Sequence, residues 1–384
     1  MIYKTPKLNE HENKVIEETL TIRDNLKYSL TSSKRWVGVL RRNTFARAIR
    51  GSNSIEGYNV TAEDAIAAVE GEEPLDAATE TWAAVMGYRG AMTYVIQLGD
   101  DPHFKYSDGF IRSLHFMMLN YDLNKNPGRW RPGPIFVRND ATGDKVYEGP
   151  EAESVSILVD ELINSLNREQ SDPFIVRAAM AHLNLVMIHP FSDGNGRMAR
   201  CLQTLVLARE GIIDPWFSSI EEYLGSNNQA YYDVLATVGK GNWSPYNDAR
   251  PWLHFCLTAH YRQAKTLLKR SREMQRIWDE IEQAVAAFNL PERVQLVLSD
   301  ATLGFRVRNA TYRSAAEISE TLASRDLKLL VERGLLIPDG TNRGRSYVGS
   351  QVLRDIRERT REPKTIEDPV FSSNLYLPGL EPKY

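Results

Sequence analysis

Two cysteines in 384 residues, Cys201 and Cys256, both inside apolar helical patterns, are too few for a disulfide framework and wrongly spaced for a thiolate zinc site. No apolar run approaches the roughly 20 residues a helix needs to cross a bilayer, so no membrane partner is expected. The opening MIYKTPKLNE lacks the apolar stretch of a secretory signal, and together with the cysteine usage this gives a cytoplasmic expectation. Charge of one sign is scarce too: 47 Lys and Arg face 50 Asp and Glu, a net of −3. That excludes a chain-wide basic surface for nucleic acid and an acidic disordered tail. There is no internal repeat and no low-complexity tract. What remains is 42% hydrophobic and 25% charged, an ordinary globular composition in a chain long enough for two or three domains.

The pattern along the chain is mostly helical. Helices are expected over Asn9–Ser29, Ser33–Arg50, Glu80–Leu98, Asp108–Asn120, Glu151–Asn167, Asp172–Ile188 and Asn227–Val238, with a long one from Pro251 to Phe288. Thr61 is a fitting N-cap for VTAEDAIAAVEG and Gly71 a fitting stop. One stretch breaks the pattern. GRWRPGPIFVRNDATGDKVYEGP is rich in Gly and Pro, and predicts a hairpin of Pro134–Arg138 with Lys145–Glu148 around NDATGD. An isolated hairpin is marginal, so it must lie against something. It is either a surface excursion or a lid or docking edge.

The residues that carry chemistry stand together in HPFSDGNGRMAR, His189–Arg200. Pro190 stops the helix before it. The Gly residues let the chain turn tightly and present bare N–H groups, and a helix then begins at about Arg197. A glycine-rich turn feeding a helix N-terminus is an anion site. Arg197 and Arg200, i and i+3, share a face and reach one polyphosphate. Asp193 is a hard oxygen ligand suited to the Mg²⁺ that a polyphosphate carries. His189 titrates near neutrality, as a base for a hydroxyl proton must. These parts describe nucleotide-dependent group transfer onto a hydroxyl. Any two of them would read as a capped helix end and a turn; all of them in one twelve-residue loop do not.

HPFSDGNGRMAR resembles, without a departure, the signature HxFx(D/E)GNGRxxR of the Fic family. The resemblance extends over about residues 76–260 and takes in the hairpin, which looks like the family's flap. It implies an all-α helical fold and transfer of AMP from ATP to a Ser, Thr or Tyr hydroxyl of a target protein, the chain itself included. On that resemblance His189 is the general base and Asp193 holds Mg²⁺. The Gly194, Asn195 and Gly196 backbone binds the α- and β-phosphates with Arg197, and Arg200 meets the γ-phosphate. The flap would take the target by strand addition, with Ile135 and Val137 as candidate edge positions. Tyr231 and Tyr232 match a family position near the adenine, though a tyrosine pair at helical spacing is as often core. Kinase-type relatives replace the GNGR segment, which is intact here and favours AMP transfer.

A second stretch, SNSIEG at Ser52–Gly57, resembles the family's inhibitory motif (S/T)xxxE(G/N), carried here by Ser52, Glu56 and Gly57. Its place before the core matches the subclass called class II. Read plainly, it is a helix end closed by Gly57. Read with the family, Glu56 pairs with Arg200 and withholds it from the γ-phosphate.

From about Leu290 the order helix, turn, helix, strand, turn, strand resembles the winged helix-turn-helix domains often appended to bacterial Fic proteins. The recognition helix would run from Ser324 to Arg333 with Arg325 and Lys328 exposed. Gly340, Arg343, Gly344 and Arg345 would form the wing. Over Leu290–Thr360 there are 12 Lys and Arg against 9 Asp and Glu, a net of only +3, so DNA, protein docking and dimerisation stay open. The domains expected are 1–75, helical with the inhibitory motif; 76–260, Fic; 261–288, a connecting helix; 289–360, winged helix; and 361–384, an extended tail. The competing functional class is a DNA-binding regulator whose Fic domain senses nucleotide. A further reading keeps the enzyme but changes the group transferred, as in phosphocholine transfer, or reverses it to de-AMPylation. A homodimer is open, since family members often dimerise.

Overall fold

A computed structural model describes residues 1–30, 35–138, 143–168, 171–209, 211, 215–340 and 345–371. The centre of the molecule is a pair of consecutive helices, α7 (Phe174–Ile188) and α8 (Asn195–Arg209). Every residue of α7 except Arg177 is buried, as a helix that is apolar all round must be. Its two polar core residues are bonded: His182 to Gln203 and Tyr231, Asn184 to both backbone groups of Tyr3. Around this pair lie α4 (Thr79–Gln97) against α8, α5 (Asp108–Leu119) against α4, and α6 (Val155–Asn167) against α7.

Two N-terminal helices close the bundle. α1 (Glu10–Leu30) runs along α11 (Arg250–Ala287), where the fully buried Glu12 carboxylate accepts from Arg250 at 2.5 Å. α2 (Trp36–Ile55) crosses α9 (Glu221–Ser226) through glycine on both sides. A Cβ on Gly51 would stand 2.4 Å from the Glu221 carbonyl, and one on Gly225 would stand 2.6 Å from the Gly51 Cα. Only hydrogen fits there. α2 is longer than its apolar pattern and carries the SNSIEG stretch to its end: Ser52 lies inside the helix, Glu56 is the C-cap, and Gly57 takes a left-handed φ of 82°. α3 (Ala62–Glu70) has the expected ends, Thr61 accepting from the Asp64 N–H and Gly71 left-handed.

The hairpin is present as β1 (Phe136–Arg138) paired antiparallel with β2 (Lys145–Glu148); most of its turn, residues 139–142, lies outside the described residues. It is not a free excursion. The Tyr147 hydroxyl donates to the Met187 carbonyl at 2.7 Å, and Glu148 exchanges backbone bonds with Gly241 and Trp243.

α11, about 57 Å long at 1.5 Å per residue, leaves the first core and enters a second. Ile277, Ile281 and Val285 on its last turns pack with α12 (Gln295–Leu303), α14 (Glu320–Glu332) and α15 (Gln351–Thr360). α13 (Asn309–Ala316), α14 and the hairpin β3 (Leu336–Asp339) with β4 (Ser346–Gly349) follow in order, and Val307 adds a bridge to Tyr347. Ser319 caps α14, so that helix starts at Glu320, four residues before the expected Ser324. Arg325 and Lys328 are exposed; Arg343 and Gly344 lie outside the described residues. This unit docks on the N-terminal helices through ion pairs: Arg42 with Asp300, Arg306 with Asp76 at 2.8 Å, and Arg308 with Glu72 at 3.0 Å. Residues 361–371 run back along α11 without regular structure, and Phe371 stacks on His254. Residues 372–384 lie outside the described residues. Among the described residues, no helix is long and apolar enough to cross a membrane.

Candidate active site

The turn between α7 and α8 gathers the site. His189 ends α7 in the left-handed region, φ 51°, with its N–H on the Leu185 carbonyl at 3.1 Å. A left-handed non-glycine residue is costly and must be held by its surroundings. Arg131, which is buried, does so. Its Nε donates to the His189 carbonyl at 2.9 Å, its backbone N–H to the Pro190 carbonyl at 2.9 Å, and its other nitrogens to Gly133 and Pro150. One guanidinium thus joins the turn to both ends of the hairpin. The His189 Nδ1 lies 3.1 Å from the Val186 carbonyl. A carbonyl only accepts, so Nδ1 carries the hydrogen and Nε2 is the free basic nitrogen. Burial holds the imidazole pKa below its usual value, which keeps that nitrogen unprotonated at neutral pH.

Asn195 locks the loop internally. Its Oδ1 accepts from the Phe191 N–H at 2.9 Å, and its Nδ2 donates to the Phe191 carbonyl at 2.8 Å. The side chain is therefore committed, and only the backbone of Asn195 faces a ligand. Phe191 stacks flat on His115, centroids 3.7 Å apart. His115 accepts from the Gly128 N–H at Nδ1 and donates from Nε2 to the Asp193 carbonyl, at 2.8 and 2.9 Å. That pair of bonds needs a neutral ring, and burial pushes its pKa down to about 4. Gly194, φ 76°, has no room for a Cβ, which would meet Leu119 at 2.9 Å.

Three cations face the start of α8. Arg197 has a fully buried side chain, and none of its Nε, Nη1 and Nη2 atoms finds a hydrogen-bond acceptor. Its nearest charge is Asp193 Oδ1 at 3.8 Å, and the Tyr58 ring lies 5.2 Å below it. Beside it are the N–H groups of Asn195, Gly196 and Arg197, which precede the first intrahelical bond, Met198 N–H to the Gly194 carbonyl at 2.9 Å. A buried guanidinium with three unpartnered nitrogens beside a helix N-terminus has the chemistry of an anion site.

Arg200 is bonded through two of its three nitrogens, while its Nη1 has no partner. Its Nε donates to Ser52 Oγ at 2.6 Å, and its Nη2 to the Ser52 carbonyl at 3.1 Å and to Glu56 Oε1 at 2.7 Å. Burial works to lower the Arg200 pKa, but the Glu56 carboxylate beside it holds that guanidinium above the usual arginine value. Glu56 also overlies Gly196: a Cβ there would come 2.4 Å from Glu56 Oε1. So the SNSIEG carboxylate lies on the second residue of α8.

The third cation is Lys125, in a short 3-10 turn at Leu123–Lys125. Its Nζ is 3.1 Å from Asp193 Oδ2 and donates to the hydroxyls of Tyr58 at 2.7 Å and Tyr121 at 3.3 Å. Asp193 Oδ1 accepts from the Gly194 N–H at 2.6 Å. Burial works to raise the Asp193 pKa, but Arg197 and Lys125 outweigh it and leave the carboxyl lowered and ionised. Among the described residues, no group of three or more His, Cys, Asp or Glu could hold a metal by itself. One carboxylate beside an anion site nevertheless suits Mg²⁺, which takes one or two carboxylates and completes its shell with phosphate oxygens and water.

Tyr231 is 1% exposed, and its hydroxyl meets His182 Nε2 at 3.0 Å. Tyr232 is at the surface and donates to the Ile55 carbonyl at the end of α2 at 3.0 Å. At the flap, Gly149 N–H donates to the Ile135 carbonyl, and Val137 pairs with Tyr147 in the same register. Both residues turn their backbone groups into the hairpin. By the alternation of an antiparallel pair, the open edge of β1 belongs to Phe136, which is exposed. Sequence reasoning also missed Lys125, Tyr58, His115 and Arg131. They come from four separate segments and share no spacing; a histidine in SLHFMM or a lysine in LNKN carries no signal of its own.

Residues 106–207 match the Fic/DOC family model. The chain is 26% identical over 257 residues to the protein adenylyltransferase Fic of Aedes aegypti, covering 66% of this chain and 47% of that protein. It is 26% identical over 257 residues to the protein of the same name from Nematostella vectensis, covering 65% and 55%. The chain thus spans about half the length of the curated relatives it matches. A Fic family protein from Desulfovibrio desulfuricans shares the fold at 20% identity with a TM-score of 0.58, over 91% of this chain and 98% of that one.

Proposed function

We propose, on the premise that residues 106–207 are a Fic/DOC-family domain, that the protein transfers AMP from ATP to a hydroxyl side chain of a protein and is held inactive by Glu56. The observation that carries the reading is Arg197, a buried guanidinium without an acceptor, set beside three free N–H groups and 3.8 Å from a carboxylate.

In the reaction, the target oxygen attacks the α-phosphorus and forms a new P–O bond. The bond from that phosphorus to the α–β bridging oxygen breaks, and pyrophosphate leaves with the electron pair. The hydroxyl proton passes to His189 Nε2, the nitrogen left free by the Val186 contact. The N–H groups of Asn195 and Gly196 and the Arg197 guanidinium take the charge of the phosphates. Arg200, once free of Glu56, takes the γ-phosphate. Mg²⁺, when bound, neutralises phosphate charge, with Asp193 as its protein ligand. With Glu56 in place the γ-phosphate meets a carboxylate instead, and misplacement of about 1 Å costs ~10²-fold in rate. The flap would receive the target strand along the open edge at Phe136.

The alternative of a DNA-binding regulator gains no support. The solvent face of α14 mixes Arg325 and Lys328 with Glu320 and Glu332, and Lys328 is 3.8 Å from Glu332. The test is incubation of the protein and Glu56→Gly with α-labelled and, separately, γ-labelled ATP. Protein-bound label from the α position alone, lost in His189→Ala, is expected. Label from the γ position, or none in Glu56→Gly, refutes the reading.

A further inference from the structure

Resting on the nucleotide reading above, we infer that Lys125 occupies the seat of the divalent cation at Asp193. Tyr58, two residues past Glu56, holds it there, so the inhibitory segment closes the cation seat along with Arg200.

Both oxygens of Asp193 are engaged, Oδ1 by the Gly194 N–H at 2.6 Å and Oδ2 by Lys125 Nζ at 3.1 Å. A Mg²⁺ bound at roughly 2.0–2.1 Å from the same carboxylate would stand against the ammonium at contact range, and like charges in a partly desolvated site repel strongly. The ammonium must leave for the cation to enter. What keeps it in place is aromatic. The shortest bond of Lys125 is to Tyr58 at 2.7 Å, and its Nζ lies 5.4 and 5.3 Å from the ring centres of Tyr58 and Tyr121.

Tyr58 is no independent surface residue. Its N–H bonds the Asn53 carbonyl at 3.0 Å and the Gly57 N–H bonds the Ser54 carbonyl at 3.1 Å, which fixes both to the end of α2. The same Tyr58 ring lies 5.2 Å from Arg197. One segment therefore engages all three cations of the site: Glu56 on Arg200, Tyr58 on Arg197 and Lys125. Withdrawal of that segment removes the shortest bond of Lys125, loosens the ammonium and opens Asp193 to the metal. Glu56 and Tyr58 act as a single plug, and the cation requirement reports its position.

The test measures binding, not turnover. In full-length protein carrying Glu56→Gly, so that Arg200 is open throughout, the affinity for α,β-methylene ATP is followed by calorimetry as Mg²⁺ is titrated from a chelated start. Lys125→Met and Tyr58→Phe are added singly to that background. The Mg²⁺ concentration giving half of the full affinity gain is expected to fall about tenfold in each, the loss of one charge-assisted contact. A midpoint unchanged or raised in both, with nucleotide still bound, overturns the role of Lys125 and leaves the nucleotide reading standing. Absence of nucleotide binding in every protein overturns both. Tyr58→Phe keeps the lysine and the ring, so it carries the test if Lys125→Met does not fold.

Discussion

Replacing Glu56 separates two roles that the structure gives it. In the resting protein its Oε1 accepts from Arg200 Nη2 at 2.7 Å, with the Arg200 side chain fully buried and that of Glu56 22% exposed. Cutting one member of a fully buried pair costs about 3–5 kcal/mol, and a hydrogen bond to a charged group is worth about 1.5–3 kcal/mol. Ser52 keeps two of the Arg200 bonds and water reaches Glu56, so the lower range applies. Glu56→Gly is expected to lose about 2 kcal/mol of stability without nucleotide. On the proposed function the γ-phosphate has to displace the same interaction, so its removal should tighten nucleotide binding by about 30-fold. Glu56→Gln, which retains an acceptor, should fall between on both scales. Denaturant unfolding without ligand and calorimetry with α,β-methylene ATP read the two effects separately. A variant destabilised by that amount whose nucleotide affinity does not change would refute the competition, and would leave Glu56 as the end of a helix and nothing more.

The crossing of α2 and α9 gives a second perturbation. Gly51→Ala places a Cβ against the Glu221 carbonyl, so it should cost about 1–3 kcal/mol and raise self-labelling from α-labelled ATP; a lowered melting temperature without added labelling would show that the crossing does not position Glu56. Asn195→Ala removes both bonds that hold the turn at Phe191, and is expected to cost about 1–3 kcal/mol and to depress labelling more than nucleotide affinity, as calorimetry beside a labelling time course would reveal. Burial lowers His115 to about 4 and His182 to about 3. The unfolded chain takes up those protons near pH 6.5, so the stability they support is complete above that pH and is lost as pH falls toward 4. Urea midpoints that do not decline from pH 7 to pH 4.5 would contradict this. His189, lowered by burial, should keep the labelling rate of Glu56→Gly level from pH 8 to below 6.5, and an apparent pKa above 7 would exclude a neutral imidazole as the base.

The helices and the turn between α7 and α8 were legible because their signals are local. Pro190 ends α7 and the glycines open the turn. The helix carrying SNSIEG was readable both as a helix end and as a carboxylate aimed at Arg200. Both readings describe the same geometry, since the C-cap position is what carries Glu56 over Gly196. What stayed hidden depends on contacts between distant segments. Arg131 and His115 act on the turn from 58 and 78 residues away, and Lys125 reaches Asp193 from a turn with no pattern of its own. Tyr231 and Tyr232 are adjacent in sequence yet split between core and surface, which helical rotation of about 100° per residue permits but spacing alone does not assign. Which backbone groups of β1 face outward depends on the pairing register, because in a strand one residue reverses the direction of every backbone group.

The unmatched guanidinium of Arg197 has a practical consequence. On the proposed function, phosphate or sulfate in a buffer would compete at Arg197, whose three side-chain nitrogens find no acceptor, with the nucleotide's own phosphates. Apparent nucleotide affinities should therefore weaken as such salts are added at constant ionic strength, while chloride at equal strength has less effect. Purification and assay in an amine buffer free of oxyanions would expose the site's intrinsic appetite.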